Sequence, residues 1–387
     1  MIQAHEFLEI LADRGFGPYV GVPCSFLKDL INYLVGRPKL EYLAANNEGE
    51  AVAIAAGAHL AGRKPVVMFQ NSGLGNAISP LTSLTYTYRI PLLLVSTWRG
   101  QPGTKDEPQH ELMGQITEAL FQTIRVAYDF FPQQTSDIAE SVERAETHMR
   151  RNSLPYALIM RGGSITPYEL PSQEPTKARA NGTIIGRHFG GARPVLTRRD
   201  AIEHVADYVP ASTALIATTG LASRELYCYR ERPGNLYVVG SMGCASSIGV
   251  GIALNQPNRR VVVLDGDGAA LMRLEAMVSV GHYCPENLTH VILDNGAYDS
   301  TGGQASLADS VRFDDIALAC GYATATGLVE PQDLCQAVTS CITTKGPHLI
   351  HVRLAHGPHH TVGRPTLSPV EIKERFMAFL SSSEGVS

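Results

Sequence analysis

The chain has 387 residues, of which 44% are hydrophobic and 18% charged, and its formal net charge at pH 7 is -5. This length is sufficient for two α/β domains, and an acidic balance without a basic run excludes a nucleic-acid-binding protein. No apolar stretch is as long as a membrane-spanning helix, and the amphipathic segment after Met1 lacks the features of a signal peptide. We therefore expect a cytoplasmic protein.

The first part of the chain alternates short apolar runs with helical patterns, as a parallel α/β sheet requires. Strands are predicted at 19–23, 40–44, 66–70, 91–96 and 156–161. Proline, glycine and polar residues then dominate 166–193, which we interpret as a linker. These patterns predict a first α/β domain over residues 1–165 and a second over 194–387.

Polar residues follow the first two predicted strands, beyond the carboxyl ends where parallel sheets bind ligands. Ser25 is a possible helix N-cap and equally a possible ligand for an anionic substrate. Glu48 and Glu50 come just before an alanine-rich helix predicted at 51–61. Acids at that position either satisfy free N–H groups of the helix or face a cofactor.

The segment 98–110, WRGQPGTKDEPQH, interrupts the alternation after the fourth strand. It is polar and contains the basic side chains Arg99, Lys105 and His110. These groups could bind a doubly charged anion, and a solvated loop explains the same composition equally well. The loop is therefore a candidate substrate-binding segment.

Two turns rich in glycine and hydroxyl groups precede predicted helices in the second domain. The first contains Thr219 and Gly220, and the second contains Ser241 and Met242. Further along the chain, apolar runs at 261–264 and 288–293 predict two buried parallel strands. The segment 269–281 between these strands is predicted to be their crossover helix.

The first of these two strands leads into Gly266, Asp267 and Gly268, and the second is followed by Asn295. A glycine turn that opens a helix favours a phosphate, but a dinucleotide fingerprint requires a third glycine where Leu271 stands. Asp267 would repel a pyrophosphate unless a divalent cation lay between them. Carboxylate and amide oxygens are ligands that Mg²⁺ prefers, so the sequence predicts a metal and diphosphate site.

This motif, with 26 residues between Gly268 and Asn295, resembles the signature of thiamine diphosphate-dependent enzymes. The resemblance implies that Asp267, Asn295 and the backbone carbonyl of Ala297 bind Mg²⁺. It also implies that Glu48 hydrogen-bonds the aminopyrimidine ring of thiamine diphosphate and promotes deprotonation of the thiazolium carbon. The further cofactor contacts that it implies involve Thr219, Gly220, Ser241, Gly266, Gly268 and Ala269, with Met242 as the apolar wedge that keeps the cofactor bent.

Four segments, GVPCSFLKDLINYL, WRGQPGTKDEPQH, TTGLASREL and DNGAYDSTGGQ, resemble the small group of these enzymes that decarboxylates phosphonopyruvate or sulfopyruvate. The resemblance implies a pyrimidine-binding and a diphosphate-binding domain without a middle domain. It implies a homodimer or larger assembly, because the active sites of this family lie between subunits.

The same resemblance implies the conversion of 3-phosphonopyruvate to phosphonoacetaldehyde and CO₂, in phosphonate biosynthesis. Decarboxylation of 3-sulfopyruvate is the alternative. A 2-keto acid carboligase and a non-catalytic thiamine diphosphate-binding protein are weaker alternatives.

Within this resemblance, Ser25, Arg99 and Lys105 are the candidates for binding the phosphonate group. His110 or Tyr298 could transfer protons. Tyr298 stands where we expect histidine in many phosphonopyruvate decarboxylases. This difference concerns the substrate and the protonation step, and it leaves the cofactor assignment unchanged.

Overall fold

We describe the protein from a computed structural model, which defines residues 1–172, 182–187, 193–356 and 362–382. The chain divides into two units, Met1–Thr176 and Lys177–Ser387. This division falls inside the segment predicted as a linker. Within the described ranges, no helix combines the length and the apolar character needed to cross a membrane.

Strands and helices alternate along the first unit. Its strands are β1 (Phe16–Gly21), β2 (Tyr42–Ala44), β3 (Lys64–Phe69), β4 (Leu93–Thr97), β5 (Ala127–Phe130) and β6 (Tyr156–Met160). Its helices are α1 (Ala4–Asp13), α2 (Lys28–Val35), α3 (Glu48–Leu60), α4 (Leu74–Pro80), α5 (Tyr86–Tyr88), α6 (Glu111–Thr123) and α7 (Thr135–Asn152). The strands form a parallel sheet in the order β2-β1-β3-β4-β6-β5.

Helix α3 packs against β1 and β3, and almost all of its residues are buried. Its alanine and glycine side chains are small, so the helix can approach the sheet closely. The helix begins at Glu48, three residues before the predicted start, because Asn47 acts as its N-cap by accepting a hydrogen bond from the Glu50 N–H (3.0 Å). Glu48 therefore lies in the first turn of α3.

The second unit has the same alternation. Its strands are β7 (Thr183–Arg187), β8 (Ala214–Ala217), β9 (Asn235–Tyr237), β10 (Val261–Gly266), β11 (Leu288–Asp294), β12 (Ala297–Tyr298), β13 (Gln304–Ala305), β14 (Thr324–Leu328) and β15 (His348–Arg353). Its helices are α8 (Arg198–Tyr208), α9 (Leu221–Tyr229), α10 (Ala245–Asn255), α11 (Asp267–Met272), α12 (Ala276–Tyr283), α13 (Phe313–Cys320), α14 (Pro331–Thr343) and α15 (Pro369–Ser381). A parallel sheet has the order β7-β14-β15-β11-β10-β8-β9, and β12 and β13 form a separate antiparallel hairpin.

The register of the central strands positions the predicted metal motif. Strands β10 and β11 are parallel neighbours, as predicted, and Gly266 pairs with Leu293. The turn after β10 and the segment after β11 therefore lie side by side at one edge of the sheet. The crossover comprises α11 and α12 rather than one helix over 269–281, because the backbone of Arg273 leaves the helical region (φ -139°, ψ 57°).

Part of the segment predicted as a linker is a strand. Strand β7 pairs in parallel with β14 and belongs to the sheet of the second unit. Its isoleucines, Ile184 and Ile185, are exposed, and the run is only five residues long. A short exposed edge strand between polar segments does not differ in composition from a linker, which explains the wrong prediction for these residues.

Candidate active site

A cleft borders the carboxyl ends of β10 and β11 in the second unit. Nine of the predicted residues line it: Thr219, Met242, Gly266, Asp267, Gly268, Ala269, Asn295, Ala297 and Tyr298. Gly220 and Ser241 are next to lining residues in the chain and are not among the lining residues themselves. The structure thus brings most of the predicted cofactor-binding and metal-binding residues of this unit together.

Asp267 is almost completely buried at the first position of α11. Burial raises the pKa of Asp267 to about 6, and a hydrogen bond from the Ser306 hydroxyl acts in the opposite direction. The hydroxyl group donates to Oδ2 of Asp267. Ser306 therefore fixes one oxygen of the carboxylate.

Asn295 is also buried, and its side-chain amide is held in one orientation. Its Nδ2 donates to Oδ2 of Asp299 (2.7 Å), and its Oδ1 accepts a long hydrogen bond from the Ala297 N–H (3.4 Å). The preceding residue, Asp294, has a different role: its Oδ2 lies 2.8 Å from Nε2 of the buried His351. Asp294 therefore stabilises the end of β11.

The oxygen atoms of this cleft fit a small divalent cation. Asp267 supplies a carboxylate, Asn295 an amide oxygen and Ala297 a backbone carbonyl, and all three are hard ligands of the kind that Mg²⁺ prefers. A cation would offset the burial that disfavours the charged form of Asp267. The backbone leaves room beside these groups, because a Cβ atom on Gly266 would have no neighbour within 4 Å.

Gly268 and Tyr298 contact each other across the cleft. A Cβ atom at position 268 would lie 2.2 Å from Cε1 of Tyr298, so only glycine allows the ring to lie there. Tyr298 pairs with Gln304 in the hairpin formed by β12 and β13. The hairpin thus holds the Tyr298 ring against Gly268, the second glycine of the predicted motif.

The two turns predicted to flank the cofactor are joined by a hydrogen bond. The Gly240 N–H donates to Oγ1 of Thr219 (3.1 Å). Each turn contains a residue with positive φ, Gly220 at 97° and Ser241 at 42°. A positive φ is uncommon for serine and occurs in turns that the surrounding structure constrains. Met242 is half-buried in the cleft wall, and its role as a wedge stays a prediction.

In the first unit, the carboxylate of Glu48 is held by two neighbours. It is 8% exposed, and its Oε2 accepts a hydrogen bond from Nδ2 of Asn76 (2.8 Å). Gly73 packs directly against this carboxylate. The contact is so close that a Cβ atom at position 73 would lie 2.0 Å from Oε1 of Glu48. Glu50 instead supports the start of the helix, because it accepts a hydrogen bond from the Asn46 N–H (2.7 Å).

Arg99 forms an ion pair that the sequence analysis did not predict. Its Nε and Nη2 donate to the two carboxylate oxygens of Asp106 (2.8 and 2.5 Å), and its Nη1 donates to Oγ of Ser25 (2.9 Å). The guanidinium also lies over the ring of Phe26. Arg99 holds the pKa of the Asp106 carboxyl well below its usual range.

The structure excludes one alternative for Ser25, and it shows that Arg99 already has a partner. The charge of Arg99 is already paired within the loop. Ser25 is not an N-cap: α2 begins at Lys28, Leu27 is its N-cap residue, and Ser25 lies in the preceding turn. Ser25 and Arg99 are both candidate ligands for the anionic group of the substrate, and a hydrogen bond joins them.

The remaining loop candidates, Lys105 and His110, differ in their surroundings. Lys105 is exposed and lines a depression formed by the loop and the first residues of α6. His110 is buried, and its Nδ1 has no hydrogen-bond partner among the described residues. The loop folds back on itself, so that Gly100 packs against the backbone of His110. A Cβ atom on Gly100 would lie only 1.9 Å from the His110 carbonyl oxygen. Sequence composition gave no sign of this closure.

Several groups that hold the candidate site were missed by sequence reasoning. Asn76 contacts a glutamate 28 positions earlier in the chain, and Ser306 contacts an aspartate 39 positions earlier. No local pattern identifies such pairs. For Asp106 a weak signal existed, since an acid that follows an arginine by seven residues in a glycine-rich loop can close that loop.

Comparison with known proteins identifies the class. The N-terminal TPP binding domain of thiamine pyrophosphate enzymes matches residues 1–120, and their C-terminal TPP binding domain matches residues 218–352. The crystal structure of benzoylformate decarboxylase from Polynucleobacter necessarius has the same fold, with a TM-score of 0.71, 15% sequence identity, and coverage of 92% of this chain and 99% of that one. The fold and the cleft thus define a thiamine diphosphate-dependent enzyme.

Two curated relatives narrow the class to a family. The chain is 40% identical to phosphonopyruvate decarboxylase of Streptomyces viridochromogenes over 385 residues, 99% of this chain and 96% of the relative. It is 30% identical to sulfopyruvate decarboxylase of Methanosarcina acetivorans over 385 residues, 96% of each chain. The chain belongs to the family of the phosphonopyruvate and sulfopyruvate decarboxylases. The predicted fold class, two parallel-sheet domains without a middle domain, and the predicted cofactor, thiamine diphosphate, are confirmed.

Proposed function

We propose that the protein is a Mg²⁺- and thiamine diphosphate-dependent decarboxylase that converts 3-phosphonopyruvate to phosphonoacetaldehyde and CO₂. The observation that carries the substrate assignment is the 40% identity to a phosphonopyruvate decarboxylase, against 30% identity to a sulfopyruvate decarboxylase over the same length. When bound, thiamine diphosphate supplies a nucleophilic carbon and an electron sink for the release of CO₂. The side chains of the protein bind and orient the cofactor and the substrate, and they transfer protons.

Glu48 is our candidate for the acid–base group that acts on the cofactor. Its carboxylate is buried at the start of α3, and the hydrogen bond from Asn76 fixes one oxygen. We assign to this carboxylate a hydrogen bond to the aminopyrimidine ring. Because Gly73 and Asn76 define its position before the cofactor arrives, little reorganisation is needed on binding.

The cleft of the second unit is our candidate for the metal and the diphosphate. Asp267, Asn295 and the carbonyl of Ala297 would hold Mg²⁺, which is supported by the buried oxygen atoms at this point of the sheet. The diphosphate and thiazolium contacts are assigned to Thr219, Gly220, Ser241, Met242, Gly266, Gly268 and Ala269. We propose residues 1–165 as the pyrimidine-binding domain and 194–387 as the diphosphate-binding domain.

Ser25, Arg99 and Lys105 are assigned to the phosphonate group of the substrate. Asp106 holds the guanidinium of Arg99 in a fixed orientation, with Nη1 directed at Ser25. Lys105 adds an exposed ammonium group on the same loop. His110 and Tyr298 are the candidates for delivering the proton that replaces CO₂ on the substrate carbon.

A homodimer is the smallest active assembly that we propose, with each active site drawing residues from two subunits, and the cytoplasm is the proposed location.

Sulfopyruvate is the second candidate substrate, and the pairing of Arg99 favours it. Because Asp106 compensates the charge of Arg99, the loop offers less net positive charge than its composition suggests. A sulfonate carries a lower charge than a phosphonate and needs less compensation.

The test is aldehyde detection with 3-phosphonopyruvate, 3-sulfopyruvate and pyruvate, each with thiamine diphosphate and Mg²⁺. We expect phosphonoacetaldehyde to form fastest. Much faster turnover of 3-sulfopyruvate would transfer the assignment to the second candidate.

Replacement of Glu48 by Gln tests the catalytic assignment separately. The amide retains the shape of the side chain but cannot accept a proton, so we expect turnover to fall by at least about 100-fold. Calorimetry should still detect binding of thiamine diphosphate with Mg²⁺. Turnover at the wild-type rate would contradict the role of Glu48.

A further inference from the structure

We propose that Asp299, itself held by Arg198, is a positioning residue that turns the carboxamide oxygen of Asn295 toward the metal. The inference rests on the proposed metal site and adds to it the groups that orient its ligands. Asp299 lies four residues after Asn295, in the segment that follows β12.

The contacts form a short chain of hydrogen bonds. Nδ2 of Asn295 donates to Oδ2 of Asp299 (2.7 Å), and Nη1 of Arg198 donates to the same oxygen (2.7 Å). The side chains of Arg198 and Asp299 are only 16% and 17% exposed. Hydrogen bonds to a charged group in such surroundings are strong, so the arrangement is well defined.

The chemistry of the two groups selects one orientation of the amide. A carboxylate only accepts hydrogen bonds, whereas a carboxamide has one end that donates and one that accepts. Asp299 therefore attracts the NH₂ end of Asn295 and repels its oxygen. Oδ1 is left on the opposite side, where a cation can bind it. Without Asp299, only the long hydrogen bond from the Ala297 N–H to Oδ1 (3.4 Å) would, among the residues that the structure describes, oppose a turn of the NH₂ end toward the metal, and that orientation would repel the cation.

Arg198 keeps Asp299 in this role. Its Nε and Nη2 form a two-pronged contact with the carboxylate of Glu225 (2.8 and 2.9 Å), so its guanidinium is fixed between α8 and α9. The ion pair with Arg198 also compensates the charge of Asp299. This pairing reduces the attraction of Asp299 for the cation, which favours Asp267 as the carboxylate ligand in the same cleft.

The same segment orients the second side-chain ligand. The Ser306 hydroxyl donates to Asp267, and the Ser306 N–H donates to the Gly296 carbonyl (2.8 Å). Residues 296–306 thus hold Asn295 through Asp299 and Asp267 through Ser306. Partners of metal ligands commonly influence metal affinity in this way.

The test is a titration of the full-length protein with Mn²⁺ in the presence of thiamine diphosphate, followed by electron paramagnetic resonance. Mn²⁺ accepts the same oxygen ligands as Mg²⁺ and has a signal. We expect Asp299→Ala to raise the dissociation constant for Mn²⁺ by roughly 10- to 100-fold. Asp299→Asn should lose less Mn²⁺ affinity, because its amide oxygen can still accept the hydrogen bond from Asn295. Ser306→Ala should weaken binding independently.

Asp207→Ala is the matched control. It removes an exposed carboxylate that contacts Arg230 (3.1 Å) near the other end of α8, so the dissociation constant should not change. Unchanged Mn²⁺ affinity in Asp299→Ala, with wild-type thermal unfolding, would overturn this inference and leave the proposed function standing. Failure of the wild-type protein to bind Mn²⁺ would overturn the metal site itself.

Discussion

At the scale of single residues, the contact between Gly73 and Glu48 gives a direct test of how the glutamate is held. In Gly73→Ala the added methyl group would overlap the Glu48 carboxylate, and backbone strain is not involved because φ of Gly73 is -76°. We expect the carboxylate to move away and the decarboxylation rate to fall by about 100-fold.

Gly75→Ala is the control, because a Cβ atom at position 75 has no neighbour within 4 Å. Alanine at this position should stabilise the protein by about 0.4–1 kcal/mol, because it restricts the unfolded chain, and should leave the rate unchanged. Equal rates for the two variants, with Tm measured alongside, would show that the contact with Gly73 does not position Glu48.

The sequence alone predicted the positions of individual site residues where those residues belong to a recognisable motif. The spacing of Asp267 and Asn295 predicted their approach, since register places both at one edge of the sheet. The sequence did not predict what holds them, because Asp299 and Ser306 act through hydrogen bonds whose geometry depends on the folded segment. The pairing of Arg99 with Asp106 was missed for the same reason.

At the scale of elements, strand β15 carries a buried histidine that should make stability depend on pH. His348 is 2% exposed, and its ring contacts Oγ1 of Thr324 (2.8 Å) and Oγ1 of Thr344 (3.2 Å). Burial lowers the pKa of His348 from its ordinary 6.5. The unfolded chain therefore binds a proton more readily, so this contribution to stability is complete above about pH 6.5 and declines as the pH falls below it.

His348→Gln removes the titratable ring and retains a side chain that can donate and accept hydrogen bonds. We expect the decrease in Tm between about pH 7.5 and about pH 5.5 to be smaller in the variant than in the wild-type protein. An identical decrease would show that His348 does not contribute.

Elements were predictable where hydrophobic pattern and length agreed. Strands β10 and β11 each contain a buried apolar run, 261–264 and 291–293, and the prediction matched both strands closely. Strand β9 has three residues, and β14 mixes threonine and glycine with apolar residues, so neither pattern stands out. Their positions are fixed by pairing with neighbouring strands rather than by local preference.

At the scale of the whole molecule, the proposed sharing of each active site between two subunits predicts that activity is recovered when two inactive variants are mixed. With the proposed roles, we expect Glu48→Gln to inactivate the first domain and Asp267→Asn the second. In a mixed dimer whose sites each use two subunits, one site carries both substitutions and the other carries neither. Random reassociation should then restore about a quarter of wild-type activity, since half of the dimers are mixed.

The measurement is the rate of decarboxylation after joint refolding or coexpression of the two variants, with each variant alone as the control. No recovery, in samples shown by sedimentation to contain mixed dimers, would indicate that each site lies within one subunit. The alternation of strands and helices predicted the two-domain fold, whereas assembly depends on surfaces that leave no comparable pattern in the sequence.

Strand β7 determines where this chain could be divided into two polypeptides. A break between residues 172 and 182 would leave β7 with its own sheet. A break near residue 193 would instead attach β7 to the first polypeptide and leave the edge of β14 without its partner. A bare sheet edge favours aggregation, so we expect a two-gene version of this enzyme to fold better with the earlier break.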